Sequence, residues 1–252
     1  MRLGLIGAGN MASALARGIG EPALVCDLEP GKAEALAQEL GGQALRTNTE
    51  LAEQADVVVL CHKPKQLEEV AQEVAPHARA VVSILAGVTT EALEGVYPGL
   101  PVYRFIPNIP AEVRRGVLCY VPGTRAAHGP EQEVLELFGR AGTVIRLSDE
   151  PLIEPAMALM SCGPAFMALV VESFADAGVR HGLGREEAMR MVVETMGGTA
   201  AYLALHQLDA PALRARVATP GGTTERGLIR LEEKGLREAC AAAVDAVVEA
   251  TR

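Results

Sequence analysis

The residues with the most chemical content lie at the two ends of this 252-residue chain. Near the start, Gly7-Ala8-Gly9-Asn10-Met11-Ala12 follows the apolar run at 2–6. The pattern is GxGxxA. Its first glycine permits a tight turn, and its second lets backbone approach a pyrophosphate. Its small third residue lets helix and strand pack closely, so that phosphates meet N–H groups at the helix's positive end. Asp27 ends a second apolar run, at about the 20-residue spacing expected of the acid that accepts a hydrogen bond from a ribose 2′-hydroxyl. Such a carboxylate repels a 2′-phosphate, and neighbouring Leu28 and Glu29 add no positive charge, which favours NAD(H) over NADP(H). A solvated aspartate at a strand end is the plainer alternative. Near the other end, VATPGGTTERGLIRL places Pro220, Gly221, Gly222, Thr223 and Thr224 ahead of a helical pattern. Their backbone N–H groups at a helix start suit a small anion such as a carboxylate, and a threonine hydroxyl suits a reacting nitrogen. The plainer alternative there is a Gly-Gly turn with a threonine N-cap.

Other positions carry weaker signals. Lys63 follows a third apolar run and faces either cofactor phosphates or solvent. Ser83 to Gly87 closes a fourth, where ligands bind in open α/β sheets. Asn108 sits between Pro107 and Ile109-Pro110, which suits either an amide positioned near a nicotinamide or an ordinary rigid loop. No histidine has a carboxylate or cysteine at metal spacing, so no metal site is expected. Ser161-Cys162 has apolar helical flanks and no identifiable base. A Tyr-xxx-Lys motif is absent: the residues four beyond Tyr97, Tyr103, Tyr120 and Tyr202 are Pro101, Pro107, Thr124 and His206. After Lys65 the next lysine is Lys234. With no base for alcohol oxidation in view, the hydride acceptor is expected to need little acid or base help, as an iminium carbon does.

The elements that must position these residues fall into two parts. Apolar runs at 2–6, 23–27, 55–62, 78–87, 102–108, 116–123 and 143–148 read as strands, with helical patterns between most of them. The runs are continuous rather than alternating, which predicts a doubly wound, mostly parallel sheet covered on both faces. From 150 onward the pattern is helical throughout. The predicted organisation is an α/β Rossmann domain over 1–149 followed by an all-α domain over 150–252. The helical stretch opening the second part is apolar on more surface than one face needs, and a homodimer partner is the simplest cover. Hydrophobic residues make up 49% of the chain and the net charge is −9, with no basic block, so nucleic acid is not an expected partner. The five cysteines form no CxxC pair and read as free thiols in a cytoplasmic protein. No signal peptide is read at the start, and no unbroken apolar run reaches the ~18 residues of a membrane span.

Taken together, GAGNMA at 7–12, CHKP at 61–64, SILAG at 83–87, RFIPN at 104–108, GPAF at 163–166 and ATPGGTT at 218–224 resemble the pyrroline-5-carboxylate reductases in order and spacing along the whole chain. The resemblance implies a Rossmann domain, a helical domain that builds a homodimer or larger homo-oligomer, and NAD(P)H-dependent reduction of 1-pyrroline-5-carboxylate to proline. By matching positions it implies cofactor contacts from Gly7, Ala8, Gly9, Asn10, Met11, Ala12, Asn48, Cys61, His62, Lys63, Pro64, Ala86 and Gly87. It implies a substrate nitrogen bonded by Thr224 and a carboxylate held by Gly221, Gly222, Thr223 and Thr224, with Thr219 just before the loop. The chain departs from the family at Met160-Ser161-Cys162, where Ser-Gly-Ser is usual, and at Arg216, where an asparagine-like residue is usual. Asp27-Leu28 replaces a common Asn/Ser-Arg pair, against the family's usual NADPH preference. Those departures keep two other readings open: a non-catalytic dinucleotide-binding paralogue, and a reductase of a different cyclic imino acid.

Overall fold

Short runs without a polar residue pair most favourably where both sheet faces are covered, and such runs build the centre of this molecule. The computed structural model describes residues 1–251. Its sheet contains β1 (Leu3–Ile6), β2 (Ala23–Cys26), β3 (Gln43–Ala44), β4 (Val57–Leu60), β5 (Val81–Ser83), β6 (Val102–Ile106), β7 (Gly116–Pro122) and β8 (Gly142–Arg146). The strand order is β3-β2-β1-β4-β5-β6-β7-β8. All neighbours are parallel except β6 and β7. That exception follows from the connection: only a short 3-10 turn at Ile109–Val113 links the two strands, with no helix to carry the chain back across the sheet.

Successive strand residues point to opposite faces. Leu3, Leu5, Val57 and Val59 therefore enter one apolar core, and Ile6, Val58 and Leu60 enter the other. The covering helices are α1 (Asn10–Ile19), α2 (Pro30–Glu39), α3 (Asn48–Gln54), α4 (Leu67–Val74), α5 (Thr90–Val96) and α6 (Glu131–Phe138). Two elements were not legible as elements in the sequence. β3 is a two-residue edge pairing with β2. α3 is a seven-residue helix started by Thr47, whose hydroxyl accepts the Glu50 N–H at 3.1 Å.

The chain divides into compact units at Met1–Pro164 and Ala165–Ala250. The first thus contains α7 (Ile153–Met160), beyond the residue-149 limit drawn from composition. The second consists of the remainder of α8 (Gly163–Arg180), then α9 (Arg185–His206), α10 (Ala210–Val217), α11 (Thr223–Glu233) and α12 (Leu236–Ala250). Among its described residues the only buried apolar side chains are Ala175 and Ala188, whereas Leu169, Phe174 and Leu205 are at least half exposed. One copy of this unit holds almost no core. The stretch Glu150–Arg180 also corrects a reading from the sequence: its mean hydropathy reaches 1.6, so by length and composition it is apolar enough for a membrane span. Counting only unbroken apolar runs missed it. The helix is interrupted between Met160 and Gly163.

A buried ion pair ties the end of the first unit back to the sheet. Arg104 on β6 is buried and pairs with Glu150, which also accepts the Thr90 hydroxyl and, at 3.0 Å, the Thr90 N–H at the start of α5. Burial pushes the Glu150 carboxyl up, but Thr90 and Arg104 outweigh it and leave the group below its ordinary value of 4.5. Glu150→Gln strips a buried guanidinium of its counter-charge and should cost roughly 3 kcal/mol at neutral pH, read from urea unfolding. Because the folded-state carboxyl titrates low, its contribution is complete above the ordinary value and is lost as pH falls through the depressed one. The gap between wild type and variant should therefore close in acid. A gap that stays constant to the acid limit would remove this pair from the account.

Candidate functional site

The first unit holds a cavity of about 510 Å³ at the carboxyl ends of β1, β2 and β4. It gathers Gly7, Gly9, Asp27, Asn48, Cys61, His62 and Lys63 from among the residues singled out in the sequence. The two glycines serve different needs. Gly7 has φ +103°, and a Cβ there would stand 2.7 Å from the Cys61 carbonyl, so the fold itself demands glycine. A Cβ on Gly9 would meet nothing within 4 Å. Packing does not explain that glycine. Gly9 is also the N-cap of α1 and makes no side-chain cap, which leaves the helix's first N–H groups open to an anion. Ala12 is buried beneath α1, as the GxGxxA reading requires. Asn10 and Met11 open the helix without lining the cavity.

Asp27 is more than a strand-end carboxylate. Its Oδ2 accepts the Ala8 N–H at 2.7 Å and its Oδ1 accepts the Glu29 N–H at 2.8 Å, tying the glycine loop to the turn after β2. The cavity wall also carries two cations that chain neighbours alone did not suggest, Lys32 and Arg46. Lys32 is paired with Glu29 at 2.5 Å. The Arg46 guanidinium has no partner among the described residues; only its backbone N–H is engaged, by Glu50. His62 donates from Nδ1 to the Lys63 carbonyl at 2.9 Å, and burial pulls its pKa down, so the ring is neutral. Burial pushes the Cys61 thiol far up and makes it a packing group rather than a nucleophile.

Five other expected cofactor positions do not line this cavity, among them Ala8, whose N–H is taken by Asp27. Pro64 begins the 3-10 turn after Lys63, and Ala86 and Gly87 are exposed in the turn after β5. Of the two readings of Asn108, the structure supports the structural one. The residue is 6% exposed, its amide donates to the Met160 carbonyl at 2.8 Å, and its Oδ1 accepts the Val117 N–H at 2.9 Å. Both ends of the amide are committed to joining β6, β7 and α7, so it is a structural staple. Ser161 likewise donates to the Pro107 carbonyl at 3.1 Å.

The second unit holds a separate cavity of about 800 Å³ between α9, α10 and α11, and Thr224 lines it. Gly221 turns the chain with φ +73°. Of the four N–H groups expected at this loop, two are already used. The Gly221 N–H donates to Glu225 Oε2 at 2.6 Å, and the Gly222 N–H donates to the Thr219 carbonyl at 2.9 Å. The expected four-donor anion site is thus reduced to Thr223 and Thr224, which lie in the first turn of α11. The threonine N-cap alternative also fails. The N-cap is Gly222, with no side-chain cap, and neither threonine hydroxyl has a partner among the described residues.

Comparison with known proteins agrees with this arrangement. Residues 150–252 match the family model described as pyrroline-5-carboxylate reductase dimerisation, and residues 2–87 match one described as NADP oxidoreductase, coenzyme F420-dependent. A pyrroline-5-carboxylate reductase of Aquifex aeolicus is 33% identical over 94% of this chain and 91% of its own length. The Treponema pallidum enzyme of that name is 31% identical over the whole of both chains. The solved pyrroline-5-carboxylate reductase of Coxiella burnetii superposes with a TM-score of 0.90 at 31% identity, covering 99% of this chain and 97% of its own. The Plasmodium falciparum pyrroline carboxylate reductase, solved with NADP bound, gives 0.86 at 28% identity over 100% and 97%.

The two glycines allow a clean test. Gly9→Ala should lower the melting temperature of the protein without cofactor by no more than a few degrees, because a Cβ there meets nothing and only the N-cap preference for glycine is lost. It should weaken dinucleotide binding at least tenfold by calorimetry. Unchanged affinity would exclude Gly9 from the cofactor cradle.

Proposed function

We propose that this chain, which belongs to the pyrroline-5-carboxylate reductase family, reduces the cyclic imine of 1-pyrroline-5-carboxylate to L-proline with NAD(P)H. The observation that carries the reading is the pair of glycine-capped helix starts. One opens on a cavity of about 510 Å³ beside Asp27, and the other places two N–H groups and two hydroxyls without partners among the described residues at Thr223 and Thr224. When bound, the reduced nicotinamide supplies the hydride. This chain's own residues then have to bind, orient and complement charge. The Gly7–Ala12 loop and the start of α1 hold the pyrophosphate, with Asn48 and Lys63 on the cavity wall. Thr223 and Thr224 donate backbone N–H bonds to the substrate carboxylate. The Gly221–Gly222 turn, tied to Thr219 and Glu225, fixes where those donors point. The Thr224 hydroxyl hydrogen-bonds the substrate nitrogen, which gains a proton as the carbon is reduced. Positioning and electrostatic complementarity supply the catalysis, which accords with the lack of a paired acid and base.

In its working form the chain is a homodimer or a larger homo-oligomer. The nearly coreless helical unit and the dimerisation family model support this. The cofactor preference follows from the end of β2. The carboxylates of Asp27 and Glu29 sit where a 2′-phosphate would add negative charge, and Glu29 already neutralises Lys32. NADH is therefore preferred, with Arg46 softening the discrimination.

Mixing the purified protein with 1-pyrroline-5-carboxylate and either NADH or NADPH should give turnover, followed by loss of the nicotinamide absorbance. Thr224→Ala should lower kcat/KM at least 100-fold, and Thr224→Ser should retain most of it. Dinucleotide binding without turnover of any imine would shift the reading to a non-catalytic paralogue. Asp27→Ser should move the ratio of NADH to NADPH affinity toward NADPH by about tenfold or more, an energy of about 1.4 kcal/mol. The ratio is the readout, because losing the Ala8 bond weakens both cofactors together. A wild-type preference for NADPH of more than tenfold would overturn this role of Asp27.

A further inference from the structure

The Thr224 cavity has an unusual charge for so acidic a chain. Two arginines, Arg214 and Arg216, line it, and no aspartate or glutamate does. The two are not equivalent. Arg214 approaches Glu232 at 4.0 Å, and that carboxylate already receives Arg237 at 2.8 Å. Arg216 has no carboxylate partner among the described residues. It donates from Nη1 to the Tyr202 hydroxyl at 3.3 Å, and the Tyr202 ring packs on His206 with centroids 4.3 Å apart. A guanidinium held by a neutral phenol keeps its full charge and most of its five donors. Basic residues in the last turn of a helix stabilise it, and α10 ends with both arginines. That accounts for positive charge on α10. It does not account for two arginines in the wall of a cavity with nothing negative in it.

Something anionic is missing from this balance. The loop beside Thr224 cannot supply strong anion binding alone, because Gly221 and Gly222 have committed their N–H groups and the carboxylate of Glu225 lies against the turn. We infer that Arg216 is a specificity residue of this site: it binds the substrate's carboxylate by a charge-assisted hydrogen bond, with Tyr202 holding the guanidinium in place. The inference rests on the imine-reductase reading for the identity of the substrate. Its physical content is narrower: this cavity selects a small carboxylate through Arg216.

The test compares two imines that differ only in that group, 1-pyrroline-5-carboxylate and 1-pyrroline, using wild type, Arg216→Gln and Arg216→Lys. Arg216→Gln should raise KM for the carboxylate substrate at least tenfold, leave kcat within about threefold, and leave KM for 1-pyrroline unchanged. Arg216→Lys should recover part of the loss. Calorimetry should show L-proline binding to wild type and at least tenfold weaker binding to Arg216→Gln. Equal effects on both imines would mean that Arg216 only supports α10, and no effect on either would likewise overturn the inference. Should Arg216→Gln fail to fold, Arg216→Lys decides: a KM rise confined to the carboxylate substrate supports the role, and an unconfined or absent one overturns it. Should wild type reduce neither imine, the imine-reductase reading fails. L-proline binding that Arg216→Gln abolishes would then still support Arg216 as the carboxylate residue, and an L-proline affinity that is absent or indifferent to Arg216 would overturn it.

Discussion

The parallel pairing of β1 between β2 and β4 fixes where each part of the dinucleotide site falls. Ile6 stands level with Cys26 on one side and with Leu60 on the other. The next residue of each strand is Gly7, Asp27 and Cys61, so register alone sets these three abreast at the carboxyl edge. Two ladder bonds extend the pairing one step further: Gly7 donates to the Cys26 carbonyl and Cys61 donates to the Ile6 carbonyl, each at 2.8 Å. The loop then has to leave the sheet in the space between its neighbours. That is why a Cβ on Gly7 would strike Cys61 and why Asp27 can reach the Ala8 N–H. A one-residue slip of any of the three strands would invert its side chains and separate the group.

Polar groups inside this unit do a different job from those at its edge. Glu150 and Asn108 are bonded by partners distant in the chain and, with Arg104, hold α7 and the start of α5 to β6 and β7, although Arg104 Nε has no partner among the described residues. Buried polar groups of this kind fix one arrangement among many, since a displaced partner leaves an unsatisfied group at a cost of about 1–3 kcal/mol. The edge residues face the cavity with capacity to spare. The open N–H groups of α1 and the Arg46 guanidinium have no partner among the described residues.

This division explains what could be read from the sequence. The strand runs, the glycine loop and Asp27 were legible because each signal is local: an apolar run, a turn requirement, an acid at a strand end. Asn108 stayed ambiguous because a proline-flanked amide at a strand end looks the same whether its partners are a ligand or Met160 and Val117. Lys32 and Arg46 are not legible as wall residues from the neighbours of Asp27, because a helix turn and a second loop bring these cations in. The Glu225 contact did leave a signal. Glu225 stands three residues after the N-cap Gly222, the capping-box spacing, and its carboxylate reaches one residue further back to the Gly221 N–H.

The two cavities apply one device with opposite supporting charge. In each, a glycine caps a helix without a side-chain bond, so first-turn N–H groups stay available to an anion. At α1 the companion carboxylate, Asp27, accepts backbone donors and remains able to take a hydroxyl, which suits a ribose beside a pyrophosphate. At α11 the companion carboxylate, Glu225, takes up a donor that an incoming anion would otherwise use, so the free charge must come from the opposite wall. Only the arginines of α10 stand there. In a chain of net charge −9, long-range attraction does not favour an anionic cofactor or an anionic acid substrate. On the reading proposed above, their capture depends on short-range donors placed by backbone geometry and on a few cations without carboxylate partners among the described residues.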